Sequence, residues 1–196
     1  DKDTNEALEK MAKDMEKELT VKKMIATTRM FSSAVNCIDY IKEAVATYTS
    51  KAAEKLRRQN SAASTISVFV VAKNEDHNVS FNRGVTSSSY TTLPIATSAT
   101  NDLIKPAVKM VDQLFKKGTW YKKAGVMLSG LVPDETIQGN LFEEQKNNNR
   151  SLMSMVDNVN FAMRDDMIKF AASGTKRDWK MRMEMRSPRY TTRWEE

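Results

Sequence analysis

The chain has 196 residues and carries 31 Lys and Arg against 25 Asp and Glu, a formal net charge of +6. This length allows one domain with a core and an appendage, or two small domains. The single cysteine, Cys37, excludes an internal disulfide, and the single histidine, His77, lies in a polar loop far from it, which disfavours a Cys–His nucleophile. No apolar run could span a bilayer and no signal-peptide pattern is present, so we expect a soluble cytoplasmic protein.

The charge is unevenly distributed. The first twenty residues are net acidic, whereas the last forty contain a series of cations: Arg164, Lys169, Lys176, Arg177, Lys180, Arg182, Arg186, Arg189 and Arg193. Such an excess favours a polyanionic partner, nucleic acid before a membrane surface. A solubilising surface explains the same excess equally well.

The N-terminal half alternates between helical and extended patterns. Residues 5–19 have helix formers and a thin apolar stripe, which indicates an exposed helix or a linker. KKMIATTRMF (residues 22–31) indicates a strand. Residues 39–60 have apolar side chains at helical spacing and end in cations, so they predict an amphipathic helix. STISVFVVA (residues 64–72) predicts a strand with Ile66, Val68 and Val70 on one face and Phe69 and Val71 on the other.

Three further elements follow. After a polar loop over residues 74–88, SYTTLPI predicts a short strand that Pro94 restricts to an edge. Residues 101–118 predict a second amphipathic helix, in which Pro106 falls near the first turn and Gly118 ends the helix. Residues 120–132 predict the last strand.

The order strand, helix, strand, strand, helix, strand predicts an α+β domain of the split βαβ (βαββαβ) type, with a four-stranded antiparallel sheet and two helices on one face. The other face is then free, and hydroxyls and cations on it suit phosphate oxygens. The strands that form it contain Thr27, Arg29, Thr65, Ser67, Thr91, Lys122 and Lys123. A one-residue error in register would exchange the two faces.

The C-terminal region predicts a small α/β appendage. A connector from Gly130 to Asn149 leads to a short amphipathic helix, whose stripe is Leu152, Val156, Val159 and Met163. Residues 167–174 then predict a strand. Beyond it, Trp179, Met181, Met183 and Met185 alternate with charged residues, which predicts a further strand at the half-buried edge of this appendage.

Four stretches resemble the C-terminal part of the Y-family DNA polymerases, specifically the UmuC branch. They are KKMIATTRMF, AVATYTSKAAEKLRRQN, WYKKAGVMLSGLVP and RSPRYTTRW, and together they cover the chain from Lys22 to its end. In the first, Thr28, Arg29, Met30 and Phe31 stand where the family usually has Ser-Arg-Ser-Phe. The last is the most specific, because it marks a tail found in UmuC proteins.

The resemblance implies a domain organisation and a function. Residues 1–21 are a linker or the end of the thumb, 22–132 the DNA-binding little-finger domain, 133–149 a connector and 150–196 a UmuC-type C-terminal subdomain. The implied function is the binding of duplex primer–template DNA in error-prone translesion synthesis and the SOS response. The residues expected to contact this DNA are Thr28, Arg29, Arg57, Arg58, Thr65, Ser67, Lys122 and Lys123. Catalytic carboxylates and two Mg²⁺ ions belong to the family's palm domain, so we expect no catalytic residue or cofactor on this chain.

Two further sites follow from the resemblance. QGNLF (residues 138–142) is similar to the pentapeptide Gln-Leu-(Ser/Asp)-Leu-Phe that binds the bacterial β sliding clamp, with Leu141 and Phe142 as apolar anchors and Gln138 as the polar contact. Gly139 departs from this pattern and should weaken binding. The tail is expected to contact single-stranded DNA or the UmuD subunit through Arg186, Arg189, Tyr190, Arg193 and Trp194.

Two other classes of protein are compatible with parts of the sequence. A stand-alone split-βαβ module for RNA or protein usually displays aromatic residues on its central strands. The candidates are Phe31, Phe69 and Tyr90, of which we expect Phe31 and Phe69 in the core. A complete enzyme is disfavoured, because the adjacent Asp165 and Asp166 indicate a solvated turn and no Gly-rich phosphate loop is present.

Overall fold

The computed structural model describes residues 22–73, 84–137, 150–163 and 166–181. Its helices and strands, in chain order, are β1 (Ile25–Val35), α1 (Ile38–Arg58), β2 (Ser61–Ala72), β3 (Thr86–Thr97), α2 (Thr100–Leu114), β4 (Tyr121–Pro133) and α3 (Arg150–Ala162). Short 3-10 turns follow β4 at Asp134–Thr136 and precede the end of the described chain at Ala171–Ser173. None of the helices in these residues is long and apolar enough to cross a membrane.

The four strands form one antiparallel sheet in the order β1-β4-β2-β3. The predicted architecture is therefore confirmed, with β4 and β2 at the centre. The register places Ile25 opposite Leu128, and Leu128 opposite Ile66. All three side chains are buried, so this row marks the face of the sheet that the helices cover.

Both helices pack on this one face and bury apolar side chains at helical spacing. On α1 the buried side chains include Ile41, Val45, Tyr48, Ala52 and Leu56, and on α2 they include Leu103, Ala107, Met110, Val111 and Leu114. They meet the β2 and β4 side chains Ile66, Val68, Val70, Ala124, Val126 and Leu128 in one core. The burial of these aliphatic side chains is the main stabilising contribution to the domain.

The bounds of β3 and α2 bear on how the prolines are accommodated. Strand β3 begins at Thr86, inside the predicted loop. It lies at the edge of the sheet, as predicted from Pro94. Helix α2 begins at Thr100, so Pro106 lies in its second turn, where proline offers no amide hydrogen to the preceding turn. This helix ends at Leu114, and Gly118, with φ of +86°, lies in the turn before β4.

The described part of the C-terminal region is less regular than predicted. Helix α3 forms, but it buries Met153, whereas Leu152, Val159 and Met163 of the predicted stripe are exposed. No strand forms over residues 167–174, which was predicted as one. This stretch packs along α1, which offers no strand edge for backbone pairing, and Gly174 passes so close to Glu43 that a Cβ atom there would overlap its carboxylate.

Trp179 enters the core of the N-terminal domain instead of a separate appendage. Its ring is 4% exposed and stands edge-on to Phe31 and Tyr48, with centroid distances of 6.3 and 5.8 Å. The Trp179 carbonyl oxygen accepts a hydrogen bond from the Ser32 amide, and Lys180 forms an isolated antiparallel bridge with Phe31. The described tail and the sheet therefore share one hydrophobic core.

Candidate nucleic-acid interface

The face of the sheet opposite the helices is called the open face here. The ladder alternates faces along each strand. Because Ile25, Leu128 and Ile66 face the helices, their neighbours in the ladder face the other way. The register assigns to the open face Ala26, Thr28 and Met30 of β1, Thr65, Ser67, Phe69 and Val71 of β2, Thr86, Ser88, Tyr90 and Thr92 of β3, and Lys123, Gly125, Met127 and Ser129 of β4.

The chemical character of the sheet suits an anionic partner. None of the four strands contains Asp or Glu. Hydroxyl groups predominate on the open face, and they can donate hydrogen bonds to phosphate oxygens without fixing a sequence. Lys123 is the lysine that the ladder assigns to it, so the open face is richer in hydroxyls than in cations.

Further cations gather at the end of the sheet where β4 begins. Lys116 and Lys117 precede this strand, and Lys73 follows β2 and donates its amide hydrogen to the Trp120 carbonyl at 2.7 Å. All three lysines are exposed. Among the described residues, none of the three forms a salt bridge. In the sequence, these cations are visible as the lysine pairs on both sides of Gly118 and Trp120. The sequence alone did not show that Lys73 lies at the same end of the sheet.

An aromatic side chain occupies the centre of the open face. Phe69 was expected in the core, but its partner in the register is Gly125, on the face away from the helices. A Cβ atom on Gly125 would lie 2.4 Å from Phe69 Cζ, so the ring covers the glycine. Burial on a sheet is decided by the neighbouring strand as well as by the helices, which is why the pattern of β2 alone misassigned this ring.

The edge strand β3 supplies a row that sequence reasoning did not assign to the interface. Thr86, Ser88, Tyr90 and Thr92 are all exposed, and the Tyr90 ring is 75% exposed. Two of them fell within the predicted loop. Exposed and half-buried residues alternate from Thr86 to Ile95, so these four side chains lie on one face of the strand.

Four of the predicted contact residues lie on the open face: Thr28, Thr65, Ser67 and Lys123. The Thr28 hydroxyl donates a hydrogen bond to the Ala124 carbonyl at 3.2 Å. Lys122 lies at a register irregularity between β4 and β2, where the ladder skips a residue. DNA binding by these residues stays a prediction.

Arg29 lies on the other face, which corrects its predicted place. It pairs with Ala124, which pairs in turn with the buried Val70, so its side chain leaves the sheet on the helix side, and its charge acts on Tyr48 of α1. Thr27 and Thr91 also lie on that face, since they pair with Val126 and Ile66. The physical reason is the period of two: burial of Ile25 fixes every second residue of β1 on its own side.

Arg57 is engaged within the fold. Its guanidinium forms a two-pronged ion pair with Asp157 of α3, at 2.6 and 2.7 Å, and donates further bonds to the Ser98 carbonyl and the Thr100 hydroxyl. A half-buried pair of this kind is costly to break, so phosphate binding by Arg57 is disfavoured. Arg58 is exposed, pairs with Glu54 at 2.6 Å and lies over the Phe161 ring at 5.7 Å.

The predicted clamp contacts Gln138, Leu141 and Phe142 lie outside the described residues. The same holds for the tail contacts Arg186, Arg189, Tyr190, Arg193 and Trp194. The structure does describe both flanks of the connector. Asp134, whose side chain is 3% exposed, pairs with Arg150 Nε at 3.1 Å.

The pKa values of two titratable groups at the contact between α1 and the C-terminal region are shifted. Burial raises the pKa of Tyr48 to about 12, although the nearby Arg29 charge acts in the opposite direction. Burial also acts to raise the pKa of Asp166, but hydrogen bonds and charge from Lys51 and Arg177 outweigh it and lower that pKa. Both groups lie on the helix side and tie the tail to α1, so they belong to the scaffold and not to the interface.

The site is therefore a split βαβ sheet with both helices on one face and an open face that is rich in hydroxyls and free of carboxylates. The family model described as the impB/mucB/samB family C-terminal domain matches residues 22–141. The chain therefore belongs to this family, and its resemblance to the UmuC branch is confirmed. A second model, described as a domain of unknown function, matches residues 150–196.

Curated relatives extend over most of the chain. Protein UmuC of Salmonella typhimurium is 33% identical over 187 residues, which is 92% of this chain and 43% of that protein. Protein SamB of Salmonella typhimurium is 34% identical, covering 88% of this chain and 40% of that protein, and protein MucB of Escherichia coli is 28% identical, covering 92% and 42%. The chain thus spans about two-fifths of the length of these relatives.

Two solved structures show weaker similarity. A complex of the beta-clamp processivity factor and the little finger domain of PolIV has a TM-score of 0.42 and 13% identity, covering 61% of this chain and 99% of that one. The insertion ternary complex of Dbh DNA polymerase has the same TM-score and identity, covering 56% of this chain and 28% of that one.

Proposed function

We propose that this chain is the DNA-binding and clamp-docking part of an error-prone translesion polymerase. The observation that carries this proposal is the open face of the sheet, which the described helices leave uncovered and which has hydroxyls, Lys123 and no carboxylate. Family membership supports it. Polymerisation itself would depend on palm carboxylates and two Mg²⁺ ions outside this chain. The proposed location of the protein is the bacterial cytoplasm.

The proposed contact is with the sugar–phosphate backbone of primer–template DNA. Serine and threonine hydroxyls on rigid strands donate to phosphate oxygens without reading bases, which suits an enzyme that must accept damaged templates. Lys123 and the lysines near the start of β4 would add charge attraction at one end of the sheet. Binding should therefore be independent of sequence and weakened by salt.

Titration of a labelled duplex at several salt concentrations tests this proposal. The affinity should fall steadily as salt rises, and Lys123→Ala should lower the slope of log affinity against log salt by about one. Lys105→Ala removes an exposed charge from α2, on the other side of the sheet, and serves as the matched control. A slope near zero for the unaltered chain, or equal slopes for both variants, would contradict phosphate contact by the open face.

A second candidate contact is favoured by one observation. Tyr90 exposes 75% of its surface on the open face, and exposed aromatic rings there can stack on unpaired bases. We therefore expect a Tyr90→Ala variant to lose affinity for a primer–template with a single-stranded overhang and to keep its affinity for a blunt duplex. Equal losses on both substrates would assign Tyr90 to backbone contact alone.

Docking on the β sliding clamp is the second half of the proposal. Its support is the QGNLF sequence, with Leu141 and Phe142 as apolar anchors and Gln138 at the rim of the pocket. Replacing Leu141 and Phe142 by Ala should abolish co-elution with the clamp, while duplex binding stays unchanged. Unchanged co-elution would place the docking site elsewhere. Contacts of the tail with single-stranded DNA or UmuD are likewise proposed.

A further inference from the structure

Trp120 lies immediately before β4 and continues the open face past the end of the sheet. The next residue, Tyr121, is 2% exposed and its side chain enters the core. Because side chains alternate along an extended chain, the Trp120 side chain is directed to the side of the open face. Its ring is 46% exposed, whereas proteins usually cover most of the surface of a tryptophan.

Lys73 lies directly opposite Trp120 and on the same face. The Lys73 amide donates to the Trp120 carbonyl at 2.7 Å, which extends the pairing of β2 with β4 one residue beyond the pair Ala72–Tyr121. Ala72 packs against the core, so the residue after it is directed to the open face. Opposite side chains in an antiparallel pair have Cβ atoms about 5 Å apart, so Lys73 and Trp120 form one small patch.

The charge around this patch is positive. Lys123 lies on the open face and pairs with the β2 residue two positions before Lys73, about 7 Å away along the strand. Lys116 and Lys117 belong to the turn that leads into Trp120. Lys73 and these two lysines are exposed, and among the described residues they form no salt bridge. The patch therefore suits an anionic partner.

An exposed indole ring bordered by lysines is complementary to an unpaired nucleic-acid strand. Every base has a flat face that can stack on an aromatic side chain, while lysines attract the phosphates on either side of it. An acidic protein segment would pair with the lysines only, because the electron-rich face of an indole ring does not attract a carboxylate. The combination of ring and cations therefore favours a strand whose bases are free to stack.

We propose that Trp120 and Lys73 bind the unpaired template strand of a primer–template, with Trp120 stacking on a base and Lys73 contacting a phosphate. This inference rests on the proposed function, because it adds a single-strand subsite to a surface that binds duplex. The subsite is separate from Tyr90. Tyr90 pairs with Ser67, six residues before Lys73 on β2, so the two sites are about 20 Å apart along the strands.

Three labelled DNA substrates test the proposal: a blunt duplex, the same duplex with a 5′ thymidine overhang, and the same duplex with an abasic overhang of equal length. Trp120→Ala should lower the affinity for the thymidine overhang about tenfold and leave the other two affinities unchanged, because only bases can stack. Lys73→Ala should weaken both overhang substrates and lower their salt slope by about one, because both retain phosphates.

Tyr40→Ala serves as the matched control, since it removes a 40% exposed ring from α1, on the other side of the sheet. It should change none of the three affinities. If Trp120→Ala lowers the affinities for both overhangs equally, or lowers neither, the stacking proposal is wrong while duplex binding stands. If the unaltered chain does not bind the blunt duplex at low salt, the proposed function fails, and this inference fails with it.

Tryptophan fluorescence provides a second measurement, which Tyr90 does not affect. In a Trp194→Phe background the remaining tryptophans are Trp120 and Trp179, and Trp179 is 4% exposed in the core. Single-stranded oligothymidine should quench the emission, because a stacked base touches the indole ring, and Trp120→Phe should remove most of this quenching. Quenching that persists in Trp120→Phe would overturn the proposal. Equal quenching by an oligoglutamate of the same charge would also overturn it, because it would assign the patch to an acidic protein.

Discussion

The ring of Trp179 meets the ring of Tyr48 edge-on, at a centroid distance of 5.8 Å and an interplanar angle of 85°. Edge-to-face contact of this kind stabilises aromatic pairs beyond the burial of their surface. Trp179 Nε1 also donates to Glu43 Oε2 at 3.2 Å. The pair joins the C-terminal region to α1, which covers the sheet. Loss of this contact should therefore lower the stability of the whole domain.

Trp179→Ala should lower the free energy of unfolding by about 3–5 kcal/mol, because it leaves a cavity between Phe31 and Tyr48. Urea unfolding followed by circular dichroism measures this change. Trp120→Ala removes a tryptophan that is 46% exposed and should cost much less. Equal costs for the two variants would contradict the placement of Trp179 in the core.

Stability at alkaline pH should depend on Tyr48. Its folded-state pKa is raised to about 12 from 10.0, so the unfolded chain loses this proton first. The contribution to stability is complete below pH 10 and is lost as the pH rises through about 12. Tyr48→Phe should flatten the fall in unfolding free energy over this range, and Tyr90→Phe, which alters an exposed ring, should not. Parallel curves for all three proteins would contradict the burial of the Tyr48 hydroxyl.

Gly125→Ala should destabilise the domain by about 1–3 kcal/mol, because the new methyl group overlaps the Phe69 ring and Thr28 Cβ. In a Phe69→Ala background the cost should be smaller, since one of the two overlaps is gone. A double-mutant cycle in urea measures this difference. A coupling energy near zero would show that the ring does not cover the glycine.

Arg57 and Arg58 are adjacent but should respond differently to replacement. Arg57→Ala leaves the Asp157 carboxylate without its two-pronged partner and should cost about 3 kcal/mol in unfolding free energy. Arg58→Ala breaks an exposed pair with Glu54 and should cost about 0.5 kcal/mol. Urea unfolding of both variants checks this, and equal costs would contradict a structural role for Arg57.

The architecture could be predicted from the sequence because the apolar pattern of each element agrees with its neighbours. The assignment of faces could not be predicted equally well. On β1, the cationic Arg29 and the hydroxyl of Thr27 suggested solvent, but burial of Ile25 fixes both on the helix side. On α3, the apolar stripe suggested the buried side, but the pairs Arg57–Asp157 and Asp134–Arg150 hold the helix by its polar side. Hydrophobic spacing does not reveal such polar anchors.

The tail was misjudged for a related reason. The alternation around Trp179 predicted a strand, but the described residues Asp178 and Trp179 form a turn, and only Lys180 makes a bridge to the sheet. The pattern could not specify which core Trp179 would enter. The partners Phe31 and Tyr48 lie well over a hundred residues earlier, and only the fold brings them to the same place.

The ion pair between Asp134 and Arg150 means that the chain leaves the domain and returns to it at one point. The pieces on either side of the connector are then held together by contacts that do not depend on its continuity, chiefly Arg57 with Asp157 and Trp179 in the core. Cleavage between residues 138 and 149 should therefore yield two fragments that stay associated and migrate as one particle, because a continuous connector is not required to hold them together.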